Sequence, residues 1–188
     1  MNYFSQELGR LIAIPYNIDL FSSHWNAQLP SFVSWRPQPG ASAVNAFLLN
    51  WSSHAGYAFP PFALIPKCLE KLRREKANLV LICPVWPAQP WFPVLLELAW
   101  DVPIILFPSQ NLLLSATGVT HLLLQTGSLQ VAAWKLSSKI SEGRHFRILW
   151  STYSWPETVP QHTRHMSRRG VIGWIGVLDG TRIPCRFL

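Results

Sequence analysis

A chain of 188 residues has room for one domain of ordinary size and a tail, and not for two large domains. With 49% hydrophobic and only 13% charged residues it can bury a core, which excludes wholesale disorder. The formal charge of +7 admits a polyanionic partner, nucleic acid or an anionic membrane surface, without requiring one.

In chain order, the amino-terminal stretch MNYFSQELGRLIAIPYNIDL has no charged leader and no small-residue cleavage site, so it reads as no secretory signal. Residues 16–21 (YNIDLF) are a short apolar run ending in an acid and serines, as expected of a buried strand whose end opens to solvent. Residues 44–49 (VNAFLL) are a weaker strand candidate, with 50–53 as a loop. Residues 56–59 make another short strand that runs into Pro60-Pro61, a pair that neither continues a helix nor fits a central strand. Such a pair suits the exit from a strand into a helix. Leu64, Ile65, Cys68, Leu69 and Leu72 then recur at three- and four-residue spacing, with Lys67, Glu70, Lys71, Arg73, Arg74 and Glu75 between them. The pattern predicts an amphipathic helix over about 62–77, ended at Asn78 and tolerating Pro66 only in its first turn.

Residues 79–83 (LVLIC) have the uninterrupted apolar character of a strand covered on both faces. A proline turn (84–90), a second helix (91–99) and another buried strand (102–107) follow. Residues 119–125 and 129–134, separated by Thr-Gly-Ser, read as a hairpin. The alternation implies an α/β fold with a mainly parallel sheet and an antiparallel hairpin at its edge. The apolar stretch 79–100 is too interrupted by Pro84, Pro87, Pro90 and Pro93 to cross a bilayer, so no membrane partner is expected. After about residue 140 the periodicity fades, which divides the chain into a domain at 1–139 and a basic, loosely ordered, linker-like tail at 140–188.

Chemistry is sparse. Cys68, Cys83 and Cys185 have no metal spacing and are odd in number, which suits thiols in a reducing, intracellular compartment, nucleus or cytoplasm. The six His residues have no metal-ligand spacing, and no Ser-His-Asp set, Walker loop or carboxylate pair emerges. Basic residues on the first helix (Lys67, Lys71, Arg73, Arg74) and in the tail (Arg168, Arg169) are candidates for weak, salt-sensitive, sequence-independent contact with nucleic acid, or form solvated faces. Ten Trp suggest a large aromatic core or a surface covered by other protein. Phe62, Trp86 and Trp91 stand as core or domain-contact aromatics, with base stacking as the alternative.

Four motifs in order, IDLFSSHWNAQLPSFVSWRPQP, AVNAFLLNW, YAFPPFALIPKCLEKLRREKANLVLICPVWPAQPWFPVLL and THLLLQTGSLQVAAWKLS, resemble the segment that follows reverse transcriptase and ribonuclease H in polyproteins of DIRS-type retrotransposons. The resemblance covers about residues 4–138, and the tail RRGVIGWIGVLDGTRIPCRFL is similar to the linker ahead of their tyrosine recombinase. That segment is itself similar to phage Dam-class DNA adenine-N6 methyltransferases, with a Rossmann-like fold that uses S-adenosylmethionine. The resemblance implies that Phe59-Pro60-Pro61-Phe62 stands where that family has Asn/Asp-Pro-Pro-Tyr. There the Asn or Asp and the first prolyl carbonyl accept from the N6 amine of a flipped adenine, and the last aromatic stacks on the ring.

Phe59 has no acceptor, and Asn45 replaces an acid usual in the retroelement relatives. Asp19 and Phe21 align with the cofactor-strand region of the family but lack its Gly-rich turn. The expectation is a degenerate, non-catalytic domain with no cofactor, whose former partners were the other polyprotein domains. The alternatives are an active S-adenosylmethionine-dependent adenine methyltransferase and a non-catalytic interaction module.

Overall fold

The computed structural model of the chain describes residues 16–106, 129–139, 172–176 and 182–187. Its strands are β1 (Ile18–Asp19), β2 (Val33–Ser34), β3 (Ala43–Val44), β4 (Ala55–Ala58), β5 (Asn78–Pro84), β6 (Ile104–Leu106), β7 (Val131–Ser137), β8 (Ile172–Gly176) and β9 (Arg182–Phe187). Helix α1 (Ile65–Glu75) joins β4 to β5, α2 (Phe92–Leu98) joins β5 to β6, and 3-10 turns form at Trp51–Ser53 and Phe62–Leu64.

The strands assemble as β1-β4-β5-β7-β6-β9-β8. β1, β4 and β5 are mutually parallel, and β6 and β9 run the same way, while β7 and β8 oppose them. The fold is thus mixed α/β with a mostly parallel sheet. β2 and β3 form a separate parallel pair that touches β1 through a parallel bridge between Asp19 and Phe32. Counting that bridge, the chain leaves β1 on one side toward β2 and β3, then returns to the other side for β4 and β5.

β5 organises the core because its residues are apolar on both faces. Leu79, Leu81 and Cys83 pack with Ile65, Cys68, Leu69 and Leu72 of α1 and with Phe92, Leu95 and Leu98 of α2. Val80 and Ile82 pack on the opposite face with Tyr57, Ile104, Leu106, Val131 and Ala133. Each such side chain, fully buried, stabilises the fold by about 1.5–3 kcal/mol before chain entropy is counted. Gly56 of β4 lies where β1 and β5 close on it. A Cβ there would sit 2.8 Å from Leu20 Cδ1 and 3.0 Å from Leu79 Cδ1.

Several expectations need correction. The run 44–49 is a strand only at Val44, because Asn45 turns left-handed (φ 61°) and its carbonyl accepts from the amide of Leu48. The first helix stops at Lys76, whose left-handed backbone (φ 51°) closes it before Asn78 enters β5. The antiparallel strand near residue 131 is not an edge: β7 inserts between β5 and β6, pairing from Asn78–Ser137 to Pro84–Val131 on one side. The antiparallel pair at the edge is instead β8–β9, with β9 alongside β6. Residues 119–125 lie outside the described residues. Among the described residues, no helix is long and apolar enough to cross a membrane.

Candidate functional site

Parallel strands deliver their following loops to one edge of a sheet, and that edge is where open α/β sheets bind ligands. Here the edge carries Asp19 at the end of β1 and Phe59-Pro60-Pro61-Phe62 directly after β4, with Trp86 beyond the end of β5. Pro60 is buried and Pro61 is exposed in an extended conformation (φ −49°, ψ 135°). The Pro61 carbonyl accepts from Leu64 N at 2.8 Å, which turns the chain into the 3-10 segment leading to α1. The Pro-Pro pair therefore converts a strand into a helix within a few residues, as the missing amides require.

Phe59, Phe62 and Trp86 are half-buried and border the core face shared by Tyr57 and Val80. The Phe59 and Phe62 rings lie 6.5 Å apart, and Phe62 meets Trp86 edge to face at 5.2 Å. Trp91 is buried in the core beside Phe92. The turn thus presents an aromatic wall and the carbonyl of Pro60, with no side-chain acceptor at position 59.

Asp19 is paired in register with Tyr57 and is almost fully buried. Its two oxygens turn back to the chain: Oδ1 accepts from Phe21 N (3.3 Å) and Oδ2 from Gln28 N (3.0 Å). Burial pushes its carboxyl above the ordinary range, against the pull of those two amides and of the Ser22 hydroxyl, which lies nearby without a direct hydrogen bond. The Tyr16 and Tyr57 rings lie 5.7 Å apart beside Asp19. Burial raises the Tyr16 hydroxyl to about 12, and burial with the Asp19 charge raises Tyr57 further. Among the described residues, the buried Tyr16 hydroxyl has no hydrogen-bond partner. The sequence does not single out these two tyrosines, because only the β1–β4 register sets Tyr57 beside Asp19.

Phe21 does not join Asp19. Its ring packs on Phe47 (5.6 Å) and Trp51 (6.4 Å), against the core on the helix-bearing face. The connection from β1 to β2 is a series of turns with no helix and no glycine, so no helix N-terminus points at this edge from that side.

The basic set is also rearranged. Lys71 is buried, its ammonium paired with Glu75 and lying 5.4 Å over the Trp51 ring, so it is withdrawn from any phosphate. Glu75 is drawn upward by burial but more strongly downward by Lys71 and by the Trp51 amide, and its carboxyl sits below the ordinary value. Arg73 pairs with Glu97 of α2, and Arg74 is largely exposed with its guanidinium 4.0 Å from Glu75. Arg168 and Arg169 lie outside the described residues. Among the described residues, no three His, Cys, Asp or Glu side chains gather where they could hold a metal ion. No protein-family model, curated protein or solved structure matches the chain.

Proposed function

We propose that the chain is a degenerate DNA adenine methyltransferase-like domain derived from a retrotransposon polyprotein, and that it does not catalyse methyl transfer. The observation that carries this reading is the position of the Phe59-Pro60-Pro61-Phe62 turn at the carboxyl end of β4, beside Asp19 on β1. There β1 stands between β4, its neighbour in the main sheet, and the separate β2–β3 pair, which meets it only at the Asp19–Phe32 bridge, an arrangement that supports a doubly wound reading. On this reading the motif is expected at the ligand edge of the sheet.

The same position supports the loss of chemistry. An amine that must be held while it reacts needs an acceptor at the first residue of the turn, and Phe59 offers none. Losing that hydrogen bond costs about 1–3 kcal/mol of binding, and more in rate where the acceptor would stabilise charge developing on nitrogen. The residues do not fit S-adenosylmethionine either. The β1–β2 connection has neither a Gly-rich turn nor a helix N-terminus, and Asp19 is almost fully buried with each oxygen turned to a backbone amide. No step is therefore routed through that cofactor.

Radiolabelled methyl transfer to adenine-containing DNA, run beside calorimetric titration with S-adenosylmethionine, tests the reading. Wild type is expected to transfer no methyl group and to bind no cofactor. Phe59→Asn restores the missing acceptor in one step and is expected to recover little or nothing, because the cofactor side is lost independently. Transfer by wild type would overturn the proposal. Transfer by the variant alone would show that Phe59 silenced an otherwise intact site.

A further inference from the structure

At the carboxyl ends of β1, β4 and β5 of the main sheet and of the separate β2–β3 pair, the following segments carry large apolar side chains, three of them exposed and two half-buried. Leu48 follows β3, Trp35 follows β2, Trp25 follows β1, Phe62 follows β4 and Trp86 follows β5. Trp25 is 84% exposed, Leu48 81% and Trp35 66%, while Phe62 and Trp86 are half-buried. An indole that exposed gains nothing from the fold.

Two further observations define this set. The loops bearing Trp25 and Trp35 are tied together: the Gln38 carboxamide oxygen accepts from His24 N at 3.1 Å and lies 3.2 Å from His24 Nδ1, and the His24 ring lies 3.9 Å from Trp25. The two loops are therefore fixed to each other, and the Trp25 indole lies against the His24 ring. In addition, residues 20–69, which supply four of the five positions, contain no Asp or Glu, whereas Arg36 beside Trp35 and Lys67 over the Phe47 ring supply positive charge.

We infer that this carboxyl edge is a binding track for single-stranded nucleic acid, independent of whether the Phe59 turn ever held adenine. Spaced aromatic faces on an acid-free, weakly basic surface match the two properties shared by every nucleotide of a single strand, an exposed base face and a phosphate. A duplex hides its base faces in the stack. A bilayer would favour a continuous apolar face, whereas the loops that carry these indoles also hold Asn26, Arg36 and Gln38.

The test is fluorescence anisotropy with the intact chain and a labelled oligo(dT) of about twenty nucleotides, beside a duplex of equal length and anionic phospholipid vesicles as competitor. The single strand is expected to bind more tightly than the duplex, with affinity falling as salt rises. Trp25→Ala and Trp35→Ala are each expected to weaken binding roughly ten-fold or more, while Trp35→Phe, which keeps a stacking ring, stays near wild type. Lys139→Ala, past the end of antiparallel β7 and so at the opposite edge, is expected to change little. Both tryptophans are exposed, and circular dichroism of the variants should match wild type. Equal binding by the Trp25→Ala/Trp35→Ala double variant, tighter binding of duplex, displacement by vesicles, or loss of self-association as the main effect of the double variant would each overturn the inference.

Discussion

On one side of β1 the chain passes through β2 and β3, two residues each, joined by turns; on the other, β4, β5 and β7 run four to seven residues and are backed by α1 and α2. Both sides reach one apolar cluster, to which the β1–β3 side gives Ile18, Leu20 and Val33, but the balance of contacts differs. The β4–β7 side has the fully buried Leu81, Ile82, Leu95 and Trp134 in contact with two helices or their strands. The β1–β3 side depends more on polar ties: Asp19 to the amides of Phe21 and Gln28, Gln38 to His24, and Asn45 N to the Ser34 carbonyl. All the exposed large hydrophobics among the described residues, Trp25, Trp35, Val44 and Leu48, fall on this second side. A half that spends few apolar side chains on its own core leaves more of them for its surface.

The comparison breaks first at the core. Leu95→Ala removes a fully buried side chain of α2 and is expected to cost about 2–5 kcal/mol in urea unfolding. Val33→Ala, equally buried in β2, is expected to cost about 1.5 kcal/mol, from two methyl groups at ~0.8 kcal/mol each. Equal costs at the two positions would mean that both halves share one core on equal terms.

The packed half was also the more legible one in the sequence. LVLIC reads as a two-faced strand because an uninterrupted apolar run has no solvent face to offer, and α1 reads from the spacing of Ile65, Cys68, Leu69 and Leu72. β2 and β3 were not legible: two-residue strands carry no periodicity, and the apolar FLL at 47–49 belongs to a turn set by the backbone of Asn45. The insertion of β7 between β5 and β6 depends on pairing across about fifty residues, which no local pattern encodes. Lys71 misled because a lysine on a helix is read as a solvent-facing charge. Its burial follows from Trp51 and Glu75 meeting it in space. At the site, the strand-to-helix role of Pro60-Pro61 was legible, while the exposed indoles were not, since a Trp in sequence looks the same buried or bare.

The next effect lies where the halves join. Glu75 accepts from the amide of Trp51 and from buried Lys71, so it pins the turn ahead of β4 to α1. Glu75→Gln leaves the ammonium with a neutral partner and is expected to cost about 2 kcal/mol at neutral pH, less than for a wholly buried pair because Glu75 is itself partly exposed. The folded carboxyl titrates below its unfolded value of about 4.3, so its contribution is present above that pH and is lost as pH falls through the lower, folded value. Urea midpoints of wild type and variant should therefore converge in acid. A difference that persists there would assign the effect to packing.

Asp19→Ala probes the polar half alone. It deprives the Phe21 and Gln28 amides of their acceptor but also removes a carboxylate that burial disfavours, so the expected cost is about 1–2 kcal/mol. Because the carboxyl titrates above its unfolded value, its ionisation weakens the fold as pH rises from about 4 through the folded value, and the variant should be free of that decline. Amide hydrogen exchange is expected to quicken across residues 20–32 while β5 keeps its protection. Equal loss of protection in β5 would show that the two halves open as one unit.

The smallest effect is expected between the two helices of the packed half. Arg73 on α1 and Glu97 on α2 form an ion pair, but both side chains are about half exposed, at 51% and 55%. Water screens such a pair, and holding two long side chains in one arrangement costs entropy, so its coupling should be about 0.2–1 kcal/mol. A double-mutant cycle with Arg73→Ala and Glu97→Ala isolates that coupling from the effect of each truncation. Repeating it at about 1 M salt, where the Debye length shrinks to about 3 Å, should reduce it toward zero. A coupling well above 1 kcal/mol that survives salt would place the cohesion of α1 and α2 in their surface charges. A small, screened coupling leaves it with the apolar contacts of Cys68, Leu69 and Leu72 against Leu95 and Leu98.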